Sequence, residues 1–163
     1  RTTCPIVIDA DALNILGTRM ARMQQLPKGV IMTPHPKEFD RMDGENNSDY
    51  GRLAKAREMA QRMQAFILLK GHYSALCQPD GTVIFNSTGN AGMATAGAGD
   101  VLTGIIVGLL SRGYSQAAAT LIGCYIHGLA GDIAAQEKGQ ESLIASDIIE
   151  ALPLAFNGLK VNG

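Results

Sequence analysis

The run Asn90-Ala91-Gly92-Met93-Ala94-Thr95-Ala96-Gly97-Ala98-Gly99-Asp100 stands directly ahead of Val101 to Leu110, a segment apolar on nearly every side. So apolar a segment reads as a buried helix, which carries its first turn to the end of the glycine run. A helix start leaves several N–H groups unpaired and bears roughly half a positive charge, and both favour an anion such as a phosphate. Gly97 and Gly99 let the backbone bend and approach a ligand without a β-carbon, and Ala96 and Ala98 are nearly as small. Asp100 is the odd member. A carboxylate beside a phosphate is repelled unless a metal or a reacting hydroxyl lies between them, which assigns it to chemistry. The structural alternative is a tight turn closed by a capping Asp. Walker A is absent, and Gly97-Ala98-Gly99 is next followed by a glycine at Gly104, which breaks the G-x-G-x-x-G spacing.

The rest of the chain supplies a sheet for that helix. Pro5 to Asp9, Gly29 to Met32 and Ala65 to Leu69 read as short buried strands, ending respectively near Asp9-Ala10-Asp11, Thr33-Pro34-His35 and Lys70-Gly71. A helix after the first strand holds Leu13, Leu16 and Met20 on one face. Leu53, Ala56, Met59, Ala60 and Met63 recur at three and four and predict an amphipathic helix over Asp49 to Met63. Ser74 to Gln78 and Val83 to Asn86, joined by Pro79-Asp80-Gly81-Thr82, predict a hairpin. Three helices follow, Val101 to Arg112, Ser115 to Gln136 and Ser146 to Asn157. The expected fold is α/β, a mostly parallel sheet flanked by helices with an antiparallel hairpin, and ligands in such folds bind beyond the carboxyl ends of the strands.

Composition narrows the function classes. The 163 residues fit one domain, and 14 Lys plus Arg against 15 Asp plus Glu give a formal charge of −1, which argues against a nucleic-acid or membrane-surface role. The longest apolar stretches fall short of the roughly 18 residues of a membrane span. No signal-peptide pattern opens the chain. Cys4, Cys77 and Cys124, odd in number and in apolar surroundings, read as reduced core thiols of a cytoplasmic protein.

Several segments together resemble the NAD(P)H-hydrate dehydratases, a carbohydrate kinase-like group of the ribokinase-like superfamily. They are Val7 to Asn14, Thr33-Pro34-His35-Pro36-Lys37-Glu38-Phe39, Leu69-Lys70-Gly71, Asn86 to Ala94, Gly97 to Asp100, Tyr125 to Gly128 and Ala145-Ser146-Asp147. The resemblance implies a ribokinase-like fold, with residues 1–163 forming the C-terminal portion of one dehydratase domain truncated at its amino end. It also implies ADP-dependent dehydration, with ATP replacing ADP in eukaryotes, of the S epimer of NADHX or NADPHX to NADH or NADPH, giving AMP and phosphate when ADP is used. Mg²⁺ and an adenine nucleotide are the implied cofactors, and a homo-oligomer the implied assembly. On the same basis Asp100 accepts the substrate hydroxyl proton and Gly97, Ala98 and Gly99 form the anion hole. The segments Lys70-Gly71-His72-Tyr73-Ser74 and Asn90 to Gly99 bind the nucleotide, and His35 and Asp100 contact the substrate.

Each residue also has a plainer reading. Lys70 alone is a solvated strand end, His35 a helix cap, His127 a core residue among Gly123, Gly128 and Gly131, and Asp9 and Asp11 loop fasteners. The chain departs from the family pattern at Ala96 and Ala98, where a hydroxyl is lost, and at Lys37, which replaces a Gly. Two other functions compete: a ribokinase-like kinase of a sugar or vitamin alcohol, sharing Asp100 and the anion hole, and a nucleotide-binding module without catalysis.

Overall fold

Side chains alternate strictly across the sheet, and that alternation builds two cores. In the computed structural model, which describes residues 4–46 and 48–159, Ile8, Met32, Ile67, Leu69 and Cys77 point to one face, and Val7, Ile31, Phe66, Leu68 and Leu76 to the other. The strands are β1 (Val7–Ile8), β2 (Ile31–Met32), β3 (Phe66–Leu69), β4 (Ala75–Cys77) and β5 (Val83–Phe85), hydrogen-bonded in that order. β1, β2 and β3 run parallel, and the β4–β5 hairpin adds antiparallel, as the sequence predicts.

Helices α1 (Ala10–Gly17), α2 (Met20–Met23), α3 (Pro36–Asp43) and α4 (Asp49–Met63) follow the early strands, and Leu13, Phe39, Met42, Ala56 and Met59 seal the first face. Helices α5 (Ala98–Ser111), α6 (Gln116–Lys138) and α7 (Ala145–Gly158) cover the second, where Leu102, Ile106 and Leu109 of α5 meet the sheet. Ile126, Ala130, Ile148 and Ala155 lock α6 to α7. Each fully buried aliphatic side chain is worth about 1.5–3 kcal/mol.

Three expectations change. Met20 opens α2 instead of continuing α1, because α1 stops at Gly17, where a β-carbon would lie 3.2 Å from the Arg41 carbonyl oxygen; the gap lets α1 and α3 touch. α5 starts at Ala98, three residues before the expected Val101, with Gly97 as its N-cap at φ 85°. Asp100 therefore lies inside the first turn and is not the cap. Third, Cys4 is exposed, while Cys77 and Cys124 are buried, with burial pushing both thiols up to about 11.

At 23 residues α6 is long and apolar enough, by length and composition, to cross a membrane. Half of its most apolar window is buried against the protein, and its small residues serve packing: a β-carbon on Gly123 would come 2.9 Å from Ile106 Cγ1, and one on Gly131 would collide with the Met93 thioether. It is a core helix.

Candidate active site

The three parallel strands end side by side, and each delivers a polar residue. Asp9 follows β1 and Thr33 follows β2, while Lys70 follows β3, its N–H held by the Pro34 carbonyl at 2.8 Å. Ala10 takes φ 48°, a left-handed turn that costs a non-glycine residue roughly 1–2 kcal/mol and turns the chain sharply just after Asp9. The Asp9 carboxylate accepts from Lys70 Nζ at 2.9 Å through one oxygen and from Thr103 Oγ1, on α5, at 2.9 Å through the other. Burial is the largest influence on this carboxyl and raises its pKa, but the Lys70 hydrogen bond and charge and the Thr103 bond together carry it below the usual value. Glu38 Oε2 stands 3.9 Å from the same ammonium. Lys70 is thus not a solvated strand end but a cation clamped between two carboxylates.

That clamp lies under the first turn of α5. A β-carbon on Gly99 would sit 3.4 Å from Lys70 Nζ and 3.7 Å from Asp9 Oδ2, so only a missing side chain separates the ammonium from the helix start. The Ala98 N–H is taken by the Thr95 carbonyl at 3.3 Å, so it is the Gly99 and Asp100 N–H groups of the first turn that, beside the Lys70 ammonium, form a donor-rich corner suited to a phosphate. Gly97, whose positive φ only glycine adopts readily, makes the bend into this turn.

His35 does cap α3: its Nδ1 accepts from the N–H groups of Lys37 and Glu38 at 3.1 and 3.2 Å, and Glu38 returns a bond from the His35 N–H at 2.7 Å. With Nδ1 accepting, the ring proton sits on Nε2, 3.4 Å from Glu38 Oε1, and the half-exposed ring still lines the cavity described next.

A cavity of about 630 Å³ opens over these strand ends. Of the residues singled out in the sequence, His35, Lys70, Gly71, His72 and Ser74 line it, as do Asn90, Ala91, Met93, Ala94, Thr95, Ala98 and Gly99. Gly92, Ala96, Gly97 and Asp100 do not; Gly92 packs against the Gln140 backbone, and Asp100 is exposed one residue beyond Gly99. Tyr73 faces a second cavity.

Sequence reasoning missed the wall opposite. Asn86, Thr88, Gly89, Cys124, His127 and Gly128 also line the cavity. Asp132, unremarked in the sequence, anchors the glycine run by accepting from the Gly89 N–H at 2.8 Å and Asn90 Nδ2 at 2.9 Å. A β-carbon on Gly128 would lie 2.7 Å from the Thr88 carbonyl carbon, so the segment rests directly on α6. The signal available was the Gly123, Gly128, Gly131 stripe. His127 bonds the Ala98 carbonyl at 2.9 Å, which fixes its proton on Nε2, and burial chiefly, with the Lys70 charge, lowers its pKa to about 4. It is a neutral core histidine that braces the start of α5. Among the described residues no three His, Cys, Asp or Glu side chains converge to hold a metal ion.

A donor-rich corner at the carboxyl ends of parallel strands, beside a helix start, is the ligand site of an α/β protein, and solved relatives make its class ribokinase-like. A ribokinase-like superfamily protein from Enterococcus faecalis V583 superposes with a TM-score of 0.74 at 27% identity, covering 94% of this chain and 52% of that one. The ADP/ATP-dependent NAD(P)H-hydrate dehydratase of Bacillus subtilis, co-crystallised with ATP/Mg²⁺ and soaked with CoA, superposes with a TM-score of 0.84 at 35% identity over 95% of this chain and 56% of that one. The ADP-dependent (S)-NAD(P)H-hydrate dehydratase of Neisseria meningitidis serogroup B is 40% identical over 156 residues, 92% of this chain and 52% of the relative. The NAD(P)H-hydrate dehydratase family model matches residues 1–154, and the chain belongs to that family. It spans 30–53% of the length of the first curated relatives it matches.

Proposed function

We propose that the protein carrying this chain, as the C-terminal portion of a single ribokinase-like domain, uses ADP to dehydrate the S epimer of NADHX or NADPHX, yielding the reduced cofactor, AMP and phosphate. The observation that carries this reading is the donor-rich corner where the α5 first turn, Gly99 and Lys70 meet at the floor of the cavity. The terminal phosphoryl of the nucleotide rests on the amides of Gly97, Gly99 and Asp100, the Ala98 N–H being held by the Thr95 carbonyl, and one well-placed donor is worth about 3 kcal/mol to developing charge. Lys70 to Ser74 and Asn90 to Gly99 hold the remainder of the nucleotide, and Mg²⁺ arrives with its phosphates, consistent with a cation that is held by few protein carboxylates. Asp100 orients the substrate hydroxyl and takes its proton as the phosphoryl is transferred. Such transfer is largely dissociative, so position matters more than base strength and an ordinary carboxylate suffices. Elimination of the phosphorylated hydroxyl then restores the dihydronicotinamide. His35 Nε2, aimed by its own capping bonds, donates to the substrate. A homo-oligomer working in the cytoplasm, where these cofactors turn over, completes the reading.

The test uses the complete natural protein with NADHX and ADP, following NADH absorbance. Turnover is expected, and Asp100→Asn retains ADP affinity by calorimetry while losing nearly all of it. Phosphorylation of a sugar or vitamin alcohol with no NADH formed would replace this function with a kinase, and near-normal turnover by Asp100→Asn would remove that residue from the mechanism.

A further inference from the structure

Of the segments that carry the family resemblance, Ala145-Ser146-Asp147 neither lines the cavity nor clamps Lys70. Asp147 stands in the first turn of α7, only 6% exposed, and fastens both ends of the α6–α7 connection. Its Oδ2 accepts from the Ile144 N–H at 3.0 Å, and its Oδ1 from Nζ of Lys138, the last residue of α6. The Lys138 bond first, and then the Ile144 N–H, hold its carboxyl below the usual carboxylate range. Between these anchors Gly139, at φ 79°, donates to the Ala135 carbonyl at 2.9 Å, and Ser142 Oγ donates to the Lys138 carbonyl. Leu143, 4% exposed, is sunk in the α6–α7 core against which Met93 packs. The connection is a folded block, tied at both ends by one carboxylate.

That block lies directly behind the glycine run. A β-carbon on Gly92 would come 2.5 Å from the Gln140 carbonyl oxygen and 2.8 Å from its α-carbon, and one on Gly97 would lie 3.2 Å from the Ala145 β-carbon. At Gly92 backbone meets backbone, with no flexible side chain to absorb a shift. Resting on the dehydratase reading, we propose that Asp147 is a positioning residue for that reaction. By pinning residues 138–145 it sets where Gly92 and Gly97 lie, and through them where the Gly99 and Asp100 amides and the Asp100 carboxylate meet the transferred phosphoryl. Asp132 holds the other end of the run at Gly89 and Asn90, so two carboxylates on the α6–α7 side fix it from opposite ends. A misplacement of about 1 Å can cost about a hundredfold in rate, so the smaller shift that follows release of the block is expected to cost about tenfold in kcat.

The experiment measures NADHX turnover with ADP, and amide hydrogen exchange, in the complete natural protein and in its Asp147→Asn, Lys138→Met, Lys138→Arg and Ala155→Gly variants. The first two sever the ion pair, and the third keeps a cation there. Ala155→Gly loosens the buried α6–α7 contact well beyond the connection and serves as the control for destabilisation alone. Both severing variants are expected to lower kcat about tenfold with the KM values for ADP and NADHX within threefold, and Lys138→Arg to restore kcat to within twofold. Ala155→Gly lowers the melting temperature and leaves kcat within twofold. The N–H groups of Gly92, Met93 and Ala94, bonded within the run to Asn90 and Ala91, are expected to exchange about tenfold faster in the severing variants alone. Should Asp147→Asn fail to fold, Lys138→Met, at a side chain 42% exposed, carries the same test. A kcat within twofold of wild type in the severing variants, an equal loss in Ala155→Gly, or a change confined to KM would each overturn the positioning role, and unchanged exchange would overturn the brace itself. A wild-type protein that does not turn over NADHX would instead overturn the dehydratase reading, and the exchange rates still decide whether Asp147 holds the run.

Discussion

The Asp9–Lys70 pair lends itself to a double-mutant cycle in the complete natural protein. The side chains are 8% and 21% exposed and meet at 2.9 Å, and the second carboxylate oxygen is already taken by Thr103. Hydrogen bonds to charged groups contribute about 1.5–3 kcal/mol, and the water reaching Lys70 puts this one near the lower end, about 2 kcal/mol. Asp9→Asn keeps an acceptor for Thr103 but leaves the ammonium with Glu38 alone, at 3.9 Å. Lys70→Met leaves a half-partnered carboxylate. Each is expected to lower the urea-extrapolated unfolding free energy by about 2 kcal/mol, and the double variant by little more than either single, a coupling of about 2 kcal/mol. Because the folded-state pKa of Asp9 is depressed, its contribution is full above the unfolded value of about 3.9 and is lost as pH falls through the folded value. The difference between wild type and Asp9→Asn should therefore be flat from neutral pH to about pH 5 and shrink below about pH 4. Additivity of the two single changes within about 0.5 kcal/mol would refute the clamp.

Gly128→Ala places a methyl against the Thr88 backbone and is expected to lower stability by about 1–3 kcal/mol and weaken ADP binding, read by thermal melting and calorimetry. His127 has its folded pKa lowered to about 4 from 6.5, a difference worth about 3 kcal/mol at roughly 1.4 per pH unit. That contribution is complete above pH 6.5 and drains away toward about pH 4, so His127→Gln should flatten the stability profile across this window in urea titrations at stepped pH.

The fold was legible wherever periodicity was strong. The helix over Asp49 to Met63 has the predicted bounds, the Pro79-Asp80-Gly81-Thr82 hairpin stands as read, and the parallel strands lie where expected but shorter, Pro5 to Asp9 reduced to Val7–Ile8 and Gly29 to Met32 to Ile31–Met32. The start of α5 was misplaced because Ala98 and Gly99 carry little helix signal and Gly97 caps through its backbone conformation, with no side-chain bond for the sequence to advertise. Lys70 was visible as a charge at a strand end; its partners, Asp9 and Glu38, come from 61 and 32 positions away in the chain, and nothing local links them. Asp132 escaped notice because a lone carboxylate in an apolar helix looks like a solvated residue, whereas here it fastens the loop that frames the cavity.

The face of α6 toward residues 88–93 is shaped by what its glycines lack. Most replacements there add matter, so this wall is vulnerable to gain rather than loss of atoms. A change of one methyl, graded as mild by any table of chemical similarity, would do more harm at Gly128 or Gly131 than the removal of a whole phenol ring at Tyr50 would do to the fold.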